Sequence, residues 1–205
     1  MIVKVCGMRD ANNIRALEKL DIDWIGFIFY SGSPRYVPDE EVFCEAIRSC
    51  AKVKIGVFVN EQPEEILRKY KKYNLNFVQL HGDETPDVCR QLREANCAVI
   101  KAFSVSSEAD LLQTNEYEPY ADYFIFDAKG SQRGGTGKRF DWSVLQAYTG
   151  NVPFLLSGGI SSEHIAELNE LKHPKMAGID INSRFELAPA LKDTSKIEIF
   201  IKNLL

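Results

Sequence analysis

Two residues that could exchange protons with a ligand, Cys6 and Asp127, each follow a short run of apolar residues. Cys6 ends the run 2–5 near the N-terminus, and Asp127 ends the run 123–126. A thiol and a carboxyl group that face one another across a ligand can act as base and acid. Position alone fits a second interpretation, in which Cys6 is a small buried hydrophobic residue and Asp127 caps a loop or pairs with a cation. Both interpretations stay open at this point.

Two turns rich in serine and glycine predict a site for an anion. Ser157-Gly158-Gly159 follows one apolar run, and Asn182-Ser183 follows the next. Backbone N–H groups in such turns carry partial positive charge, as do helix N-termini behind them, and both suit a phosphate dianion. We therefore expect a phosphorylated small molecule as ligand. The alternative is that the first turn is only a tight connection between a strand and a helix.

The elements that position these residues follow from an alternation of short apolar runs with longer amphipathic stretches along the whole chain. The predicted strands are 2–6, 24–29, 54–59, 77–80, 98–103, 123–126, 153–156 and 178–181. The predicted helices are 11–20, 39–50, 63–73, 85–95, 109–113, one restarting at 140–142, 162–171 and 193–204, the last after a linker that runs through Pro189. Eight strand–helix units predict one domain over residues 1–205, a small (β/α)8 TIM barrel with all-parallel strands.

An open doubly wound sheet is the rival architecture. A dinucleotide-binding sheet of that kind carries Gly-x-Gly-x-x-Gly after its first strand, whereas here Cys6-Gly7-Met8-Arg9 follows. The barrel is therefore favoured. Its strands end at one rim, so residues far apart in sequence become neighbours there. The predicted pocket residues are Cys6, Arg35, Asn60, Gln79, His81, Phe103, Ser104, Asp127, Ser157, Gly158, Gly159, Asn182 and Ser183.

Composition excludes several classes of protein. With 45% hydrophobic residues, 26% charged residues and a net charge of −4, the chain is typical of soluble globular proteins and has no basic surface for nucleic acid. The chain contains neither a secretory signal pattern nor a run of about eighteen apolar residues, so no membrane partner is expected. The five cysteines form no C-x-x-C pair, which favours a reducing cytoplasm and no metal site, and the four besides Cys6 are predicted to be packed hydrophobic residues. Of the scattered histidines, His81 is expected to orient the rim, and the other two, His164 and His173, to lie at the surface.

Several segments, in order along nearly the whole chain, resemble the phosphoribosylanthranilate isomerases of tryptophan biosynthesis. The segments are Lys4-Val5-Cys6-Gly7, Phe27-Ile28-Phe29, Ser33-Pro34-Arg35-Tyr36-Val37, Gly56-Val57-Phe58-Val59-Asn60, Val78-Gln79-Leu80-His81-Gly82-Asp83-Glu84, Asp127, Gly134-Gly135-Thr136-Gly137, Phe140-Asp141-Trp142 and Ser157-Gly158-Gly159-Ile160. The resemblance implies a cofactor-free Amadori rearrangement of N-(5′-phosphoribosyl)anthranilate to 1-(2-carboxyphenylamino)-1-deoxyribulose 5-phosphate by a monomer or a homodimer.

The resemblance also implies roles for individual residues. Asp127 would be the general acid that protonates the furanose ring oxygen, and Cys6 the general base that removes the hydrogen at C2′. Arg35 would receive the anthranilate carboxylate, for which a planar guanidinium is suited. The other residues that would bind substrate are Gln79, His81, Gly135, Gly158, Gly159, Asn182 and Ser183. A thiol ordinarily has a pKa of about 8.5, and our hypothesis is that the substrate cation helps to stabilise the thiolate.

Two positions depart from the family pattern. Arg184 and Ala190 stand where the family usually has glycine. We interpret Arg184 as a solvated surface charge, the alternative being a direct contact with the phosphate. Two rival functions also remain, a catalytically silent barrel that binds a phosphometabolite and an aldose–ketose isomerase of histidine biosynthesis. A silent barrel would need neither Cys6 nor Asp127, and the histidine-pathway enzyme would pair two aspartates.

Overall fold

Eight parallel strands close into a barrel in the computed structural model, which describes residues 1–128 and 142–204. Each strand pairs with the next along the chain, and the eighth pairs with the first. The strands are β1 (Ile2–Val5), β2 (Trp24–Ile28), β3 (Val53–Phe58), β4 (Phe77–Leu80), β5 (Ala98–Val105), β6 (Tyr123–Ala128), β7 (Phe154–Ser157) and β8 (Met176–Ile181). The predicted (β/α)8 barrel is therefore confirmed.

Helices connect the strands on the outside of the barrel. They are α1 (Ala11–Leu17), α2 (Glu41–Arg48), α3 (Pro63–Lys72), α4 (Pro86–Glu94), α5 (Glu108–Leu111), α6 (Ile165–Glu170) and α7 (Thr194–Lys202). Between β6 and β7 the structure has a 3-10 helix, Trp142–Ala147, where the sequence predicts a helix restarting at 140–142, of which residues 140 and 141 lie outside the described range. The side chain of Asp10 accepts a hydrogen bond from the Asn13 N–H at 2.8 Å and so caps α1 as its sequence position predicts.

The segment after β8 corrects the prediction of a plain linker. It forms a 3-10 turn, Ser183–Phe185, and then a hairpin of β9 (Glu186–Ala188) and β10 (Leu191–Lys192). Two strands this short carry no readable alternation, so the sequence gives no signal for them. Ala190 adopts a φ of +66° in the hairpin turn, a left-handed conformation that favours glycine.

The interior of the barrel is filled at the N-terminal ends of its strands. Trp24 lies there, with its ring centroid 5.2 Å from that of Phe77 and 5.0 Å from that of Tyr123. Aliphatic side chains of β3, β5, β6 and β7 pack on this aromatic group. The opposite ends of the strands are therefore left to form a cavity.

The larger part of the core lies between the strands and the surrounding helices. It includes Cys44, Cys50, Cys89 and Cys97, all buried free thiols, which confirms that they are packed hydrophobic residues. Among the residues described, no helix is long and apolar enough to cross a membrane.

Candidate active site

A cavity of about 310 Å³ opens at the carboxyl ends of the strands. Most of the predicted site residues line it together, namely Cys6, Gln79, His81, Asp127, Ser157, Gly158, Gly159, Asn182 and Ser183. Asn60, Phe103 and Ser104 instead line a neighbouring depression that shares His81. Gly135 lies outside the described residues. Arg35 does not line the cavity in this structure.

His81 links the acid candidate to the wall of the barrel. The amide nitrogen Nε2 of Gln79 lies 2.8 Å from Nδ1 of His81, and His81 Nε2 lies 3.4 Å from Asp127 Oδ2. An amide nitrogen can only donate, so Nδ1 accepts and the ring proton of a neutral His81 lies on Nε2, directed at the carboxylate. This geometry supports the expectation that His81 orients the rim.

The loop after β4, which carries His81, is held by a buried ion pair that the sequence does not predict. Lys101 and Glu84 meet at 3.0 Å, both almost completely buried, and Lys101 Nζ also donates to the Gly82 carbonyl at 2.6 Å. Glu84 accepts hydrogen bonds from the Asn60 and Gly82 N–H groups at 2.8 and 3.0 Å. The loop after β4 is therefore fixed to β5, and His81 with it.

The position of the Cys6 sulfur depends on a glycine in the neighbouring strand. A Cβ atom on Gly26 would lie 2.7 Å from Cys6 Sγ and 3.1 Å from Cys6 Cα. The Gly26 carbonyl also accepts hydrogen bonds from the N–H groups of Gly7 and Met8 at 2.9 and 3.0 Å. Gly26 was not among the predicted site residues, because only the barrel register shows that it lies against β1.

We expect Gly26→Ala to lower kcat about 100-fold while KM changes little, because the sulfur and the backbone of β1 must both move, and a displacement of about 1 Å at a reacting atom can have an effect of that size. Steady-state kinetics of the purified variant measure this. Gly56→Ala is a matched control, since its added Cβ would meet Leu75 and phenylalanine side chains on the outer face of β3 instead. A Gly26→Ala enzyme with wild-type kcat would show that the sulfur position is not critical.

Charged groups surround Cys6, which is itself 4% exposed. Lys4 Nζ forms an ion pair with Asp180 Oδ2 at 2.8 Å, and both side chains are buried beside the thiol. Burial raises the pKa of the Cys6 thiol, and Lys4 and Lys192 only partly offset that rise. Burial likewise raises the pKa of Asp180 in spite of Lys4. At neutral pH the free protein therefore holds Cys6 mainly as the thiol.

Arg35 is paired with a carboxylate of the chain itself. Its Nε and one terminal nitrogen donate to Glu186 at 2.8 and 2.6 Å, a bidentate arrangement. Lys192 Nζ donates to the same Glu186 at 2.6 Å and to Asn182 Oδ1 at 2.7 Å. Neither Glu186 nor Lys192 was predicted as part of the site, since both lie on the hairpin that the sequence does not reveal. The carboxylate-binding role of Arg35 stays a prediction.

The Ser/Gly turns form the other end of the cavity. Gly158 and Gly159 adopt φ values of +96° and +68°, which only glycine adopts readily, and they turn the chain at the end of β7. Ser183 and Arg184 begin the 3-10 turn after β8 and line the same cavity. Backbone N–H groups of two adjacent turns, with a guanidinium beside them, suit a phosphate group.

The sequence matches a family model described as N-(5′-phosphoribosyl)anthranilate (PRA) isomerase over residues 3–203. Among similar proteins, the N-(5′-phosphoribosyl)anthranilate isomerase of Phocaeicola vulgatus is 50% identical over 204 residues, covering 100% of this chain and 98% of that protein. The corresponding protein of Thermotoga maritima is 36% identical over 203 residues, covering 98% of this chain and 97% of that protein.

Solved structures show the same similarity. The crystal structure of phosphoribosylanthranilate isomerase from Thermotoga maritima superposes with a TM-score of 0.84 and 34% identity, covering 99% of this chain and 98% of that one. A structure of a phosphoribosylanthranilate isomerase in complex with reduced 1-(o-carboxyphenylamino)-1-deoxyribulose 5-phosphate gives a TM-score of 0.82 at 32% identity and the same coverage.

Proposed function

Because this chain belongs to the N-(5′-phosphoribosyl)anthranilate isomerase family and catalyses that isomerisation in tryptophan biosynthesis, we propose that Asp127 and Cys6 are its acid and its base. The observation that carries the proposal is that the carboxyl group and the thiol line one cavity together with the turns after β7 and β8. The pathway fits a location in the cytoplasm, and so do the five free thiols, because thiols stay reduced there.

In the first step Asp127 donates its proton to the ring oxygen of the furanose, and the bond between C1′ and that oxygen breaks. The electron pair of the anthranilate nitrogen forms a C1′=N iminium, which makes the neighbouring C2′ hydrogen acidic. Cys6 reacts as the thiolate, in the fraction of the protein that has released the thiol proton to solvent. It removes that hydrogen as a proton, the C–H electrons form the C1′=C2′ bond of an enolamine, and the C1′=N electrons return to the nitrogen. Tautomerisation then gives the ketone at C2′. The raised pKa of Cys6 in the free protein supports the hypothesis that the iminium helps to stabilise the thiolate.

The anthranilate carboxylate would be bound by Arg35. In the free protein this guanidinium has Glu186 as its partner, and Glu186 has Lys192 as a second cation at 2.6 Å. Rotation of Arg35 toward a substrate carboxylate would therefore exchange one carboxylate partner for another and leave Glu186 paired. Gln79 Oε1, which is buried without a hydrogen-bond partner among the described residues, can only accept and would therefore take a hydroxyl group of the substrate.

The experiment that tests the proposal separates binding from conversion. Wild-type protein should convert freshly generated N-(5′-phosphoribosyl)anthranilate. The double variant Cys6→Ala/Asp127→Asn should bind reduced 1-(o-carboxyphenylamino)-1-deoxyribulose 5-phosphate within a few-fold of wild type and convert no substrate above background. Calorimetry and a steady-state assay measure the two properties. A double variant that still turns over at near wild-type kcat would refute the acid–base assignment.

Although the sequence favours a solvated surface charge at Arg184, the residue lines the phosphate end of the cavity, so we expect Arg184→Gly to raise KM about tenfold with kcat almost unchanged. Tenfold corresponds to about 1.4 kcal/mol of uniform binding. Arg184→Lys keeps the charge and should give an intermediate KM, whereas an unchanged KM in Arg184→Gly would establish the interpretation of a solvated surface charge. Inhibition by inorganic phosphate should weaken in parallel with KM.

A further inference from the structure

A buried ammonium group lies beside the thiol that we assign as the base. Lys4 lies on β1 and Cys6 directly follows that strand, its N–H donating to the Ile181 carbonyl of β8 at 2.9 Å, so the two side chains, two residues apart in extended backbone, point to the same face. Lys4 is completely buried and pairs in register with Asp180 of β8. Its Nζ atom lies 2.8 Å from Asp180 Oδ2.

The Lys4–Asp180 pair is poorly explained as a device for stability. Burial of two charges carries a desolvation cost that their attraction often fails to exceed, and apolar residues of similar volume usually serve a core as well. The pair is also incompletely satisfied, because Asp180 Oδ1 is buried with no hydrogen-bond partner among the residues described. Asp180 lines the cavity, so the pair belongs to the site.

Other charged groups reach Cys6 from several elements. Lys192 of β10 favours the thiolate and Asp180 of β8 opposes it, while Arg35 in the loop after β2 interacts with the same sulfur. Lys192 and Arg35 are both hydrogen-bonded to Glu186, which offsets one of their two charges. His81 and Asp127 lie farther along the cavity and interact with Asp180. Lys4 is thus the cation whose interaction with the thiolate is largest.

Building on the proposed function, we propose that Lys4 is a positioning residue that stabilises the Cys6 thiolate during proton abstraction, with Asp180 holding its ammonium in place. The ammonium would stay protonated throughout, because Asp180 and Cys6 raise the pKa of Lys4 although burial alone would lower it. The proton from C2′ goes to sulfur, and Lys4 transfers none. Its contribution is the electrostatic stabilisation of the base.

The pH dependence of kcat/KM distinguishes this role from a structural one. The active form has a deprotonated thiol and a protonated acid, and a carboxylic acid ordinarily titrates well below a thiol. The decline of kcat/KM at high pH, the alkaline limb, is therefore set by the pKa of the thiol. The constant value of kcat/KM below that limb, the plateau, falls as the pKa of the thiol rises. Lys4→Met should move the alkaline limb up by about one pH unit and lower the plateau about tenfold, since one unit is a tenfold change in thiolate. A loss of packing alone would lower the plateau and leave the limb in place.

Lys54→Met is the matched control. Lys54 is another buried lysine of a barrel strand, and its Nζ donates to the Cys50 carbonyl away from the cavity. Its loss should not move the alkaline limb. If Lys4→Met does not fold because Asp180 is left unpaired, Lys4→Met/Asp180→Asn is compared with Asp180→Asn, so that the two proteins differ only in the ammonium group. Lys4→Arg keeps the cation and should restore most of the wild-type profile.

A measurement independent of catalysis completes the test. The rate of alkylation by iodoacetamide is followed against pH, and peptide mass assigns the reaction to Cys6 among the five free thiols. The midpoint for Cys6 should rise by about one unit when Lys4 is replaced. A Lys4→Met protein whose Cys6 alkylates with the wild-type midpoint, or a Lys4→Met/Asp180→Asn protein whose midpoint equals that of Asp180→Asn, would overturn the role of Lys4. That result would leave the assignment of Cys6 as the base untouched, which depends on the turnover of the Cys6 variants.

Discussion

Replacement of Asp127 by asparagine is expected to lower kcat by a factor of about 100 to 10,000, the usual contribution of a positioned general acid. Asparagine keeps the size of the side chain and an oxygen that His81 Nε2, 3.4 Å from the carboxylate, can still reach. It cannot release a proton to the ring oxygen, so the furanose opens only with a proton from water. KM should stay within a few-fold, because the groups that contact phosphate and carboxylate are unchanged.

Steady-state kinetics with freshly generated substrate measure this effect, and Asp83→Asn is the control. Asp83 is an exposed carboxylate in the loop after β4, beside the neighbouring depression, and its neutralisation should leave kcat within twofold. A kcat for Asp127→Asn within a few-fold of wild type would rule out Asp127 as the acid that opens the ring.

Replacement of Cys6 by alanine is expected to lower kcat by about as much or more, because no other group that could accept a proton ends β1. Cys6→Ser should be nearly as inactive, since a hydroxyl group ionises far less readily than a thiol. With substrate carrying deuterium at C2′, both variants should show a primary isotope effect on kcat, because proton abstraction becomes the slowest step.

Cys50→Ala controls for the loss of a buried thiol. Cys50 is 3% exposed and packs in the outer core, so its truncation should affect stability and leave kcat unchanged. If Cys6→Ala kept near wild-type kcat and Cys50→Ala did not, the assignment of the base to Cys6 would be wrong. The barrel would then draw its base from another side chain of the cavity.

The architecture could be predicted from sequence because its signal is local. Each run is short and mostly apolar, as is typical of buried parallel strands, and each is followed by an amphipathic stretch. Once the strands are placed, the barrel rule brings Cys6, Gln79, Asp127 and the turn at 157–159 to one rim, and the structure has all of them around one cavity.

What sequence reasoning missed depends on which strands are neighbours and in what register. Gly26 looks like any strand glycine until β2 is placed against Cys6. Lys4 and Asp180 form their pair only because barrel closure joins β8 to β1. The partner of Arg35 was equally hidden, because Glu186 begins a three-residue strand whose hairpin has no periodic pattern.

The closure of the barrel also determines when, during synthesis of the chain, Cys6 gains its charged neighbours. The carboxylate that pairs with Lys4 is synthesised 176 residues after that lysine, and the hairpin that carries Lys192 and Glu186 comes later still. At typical rates of translation that interval is about 10 to 35 s. Asn13 of α1 exchanges two hydrogen bonds with the backbone of Lys192. Helix α1 therefore gains these two hydrogen bonds only after β10 has been synthesised. During synthesis Cys6 and Lys4 are therefore without Asp180, Glu186 and Lys192 until β8, β9 and β10 have been made.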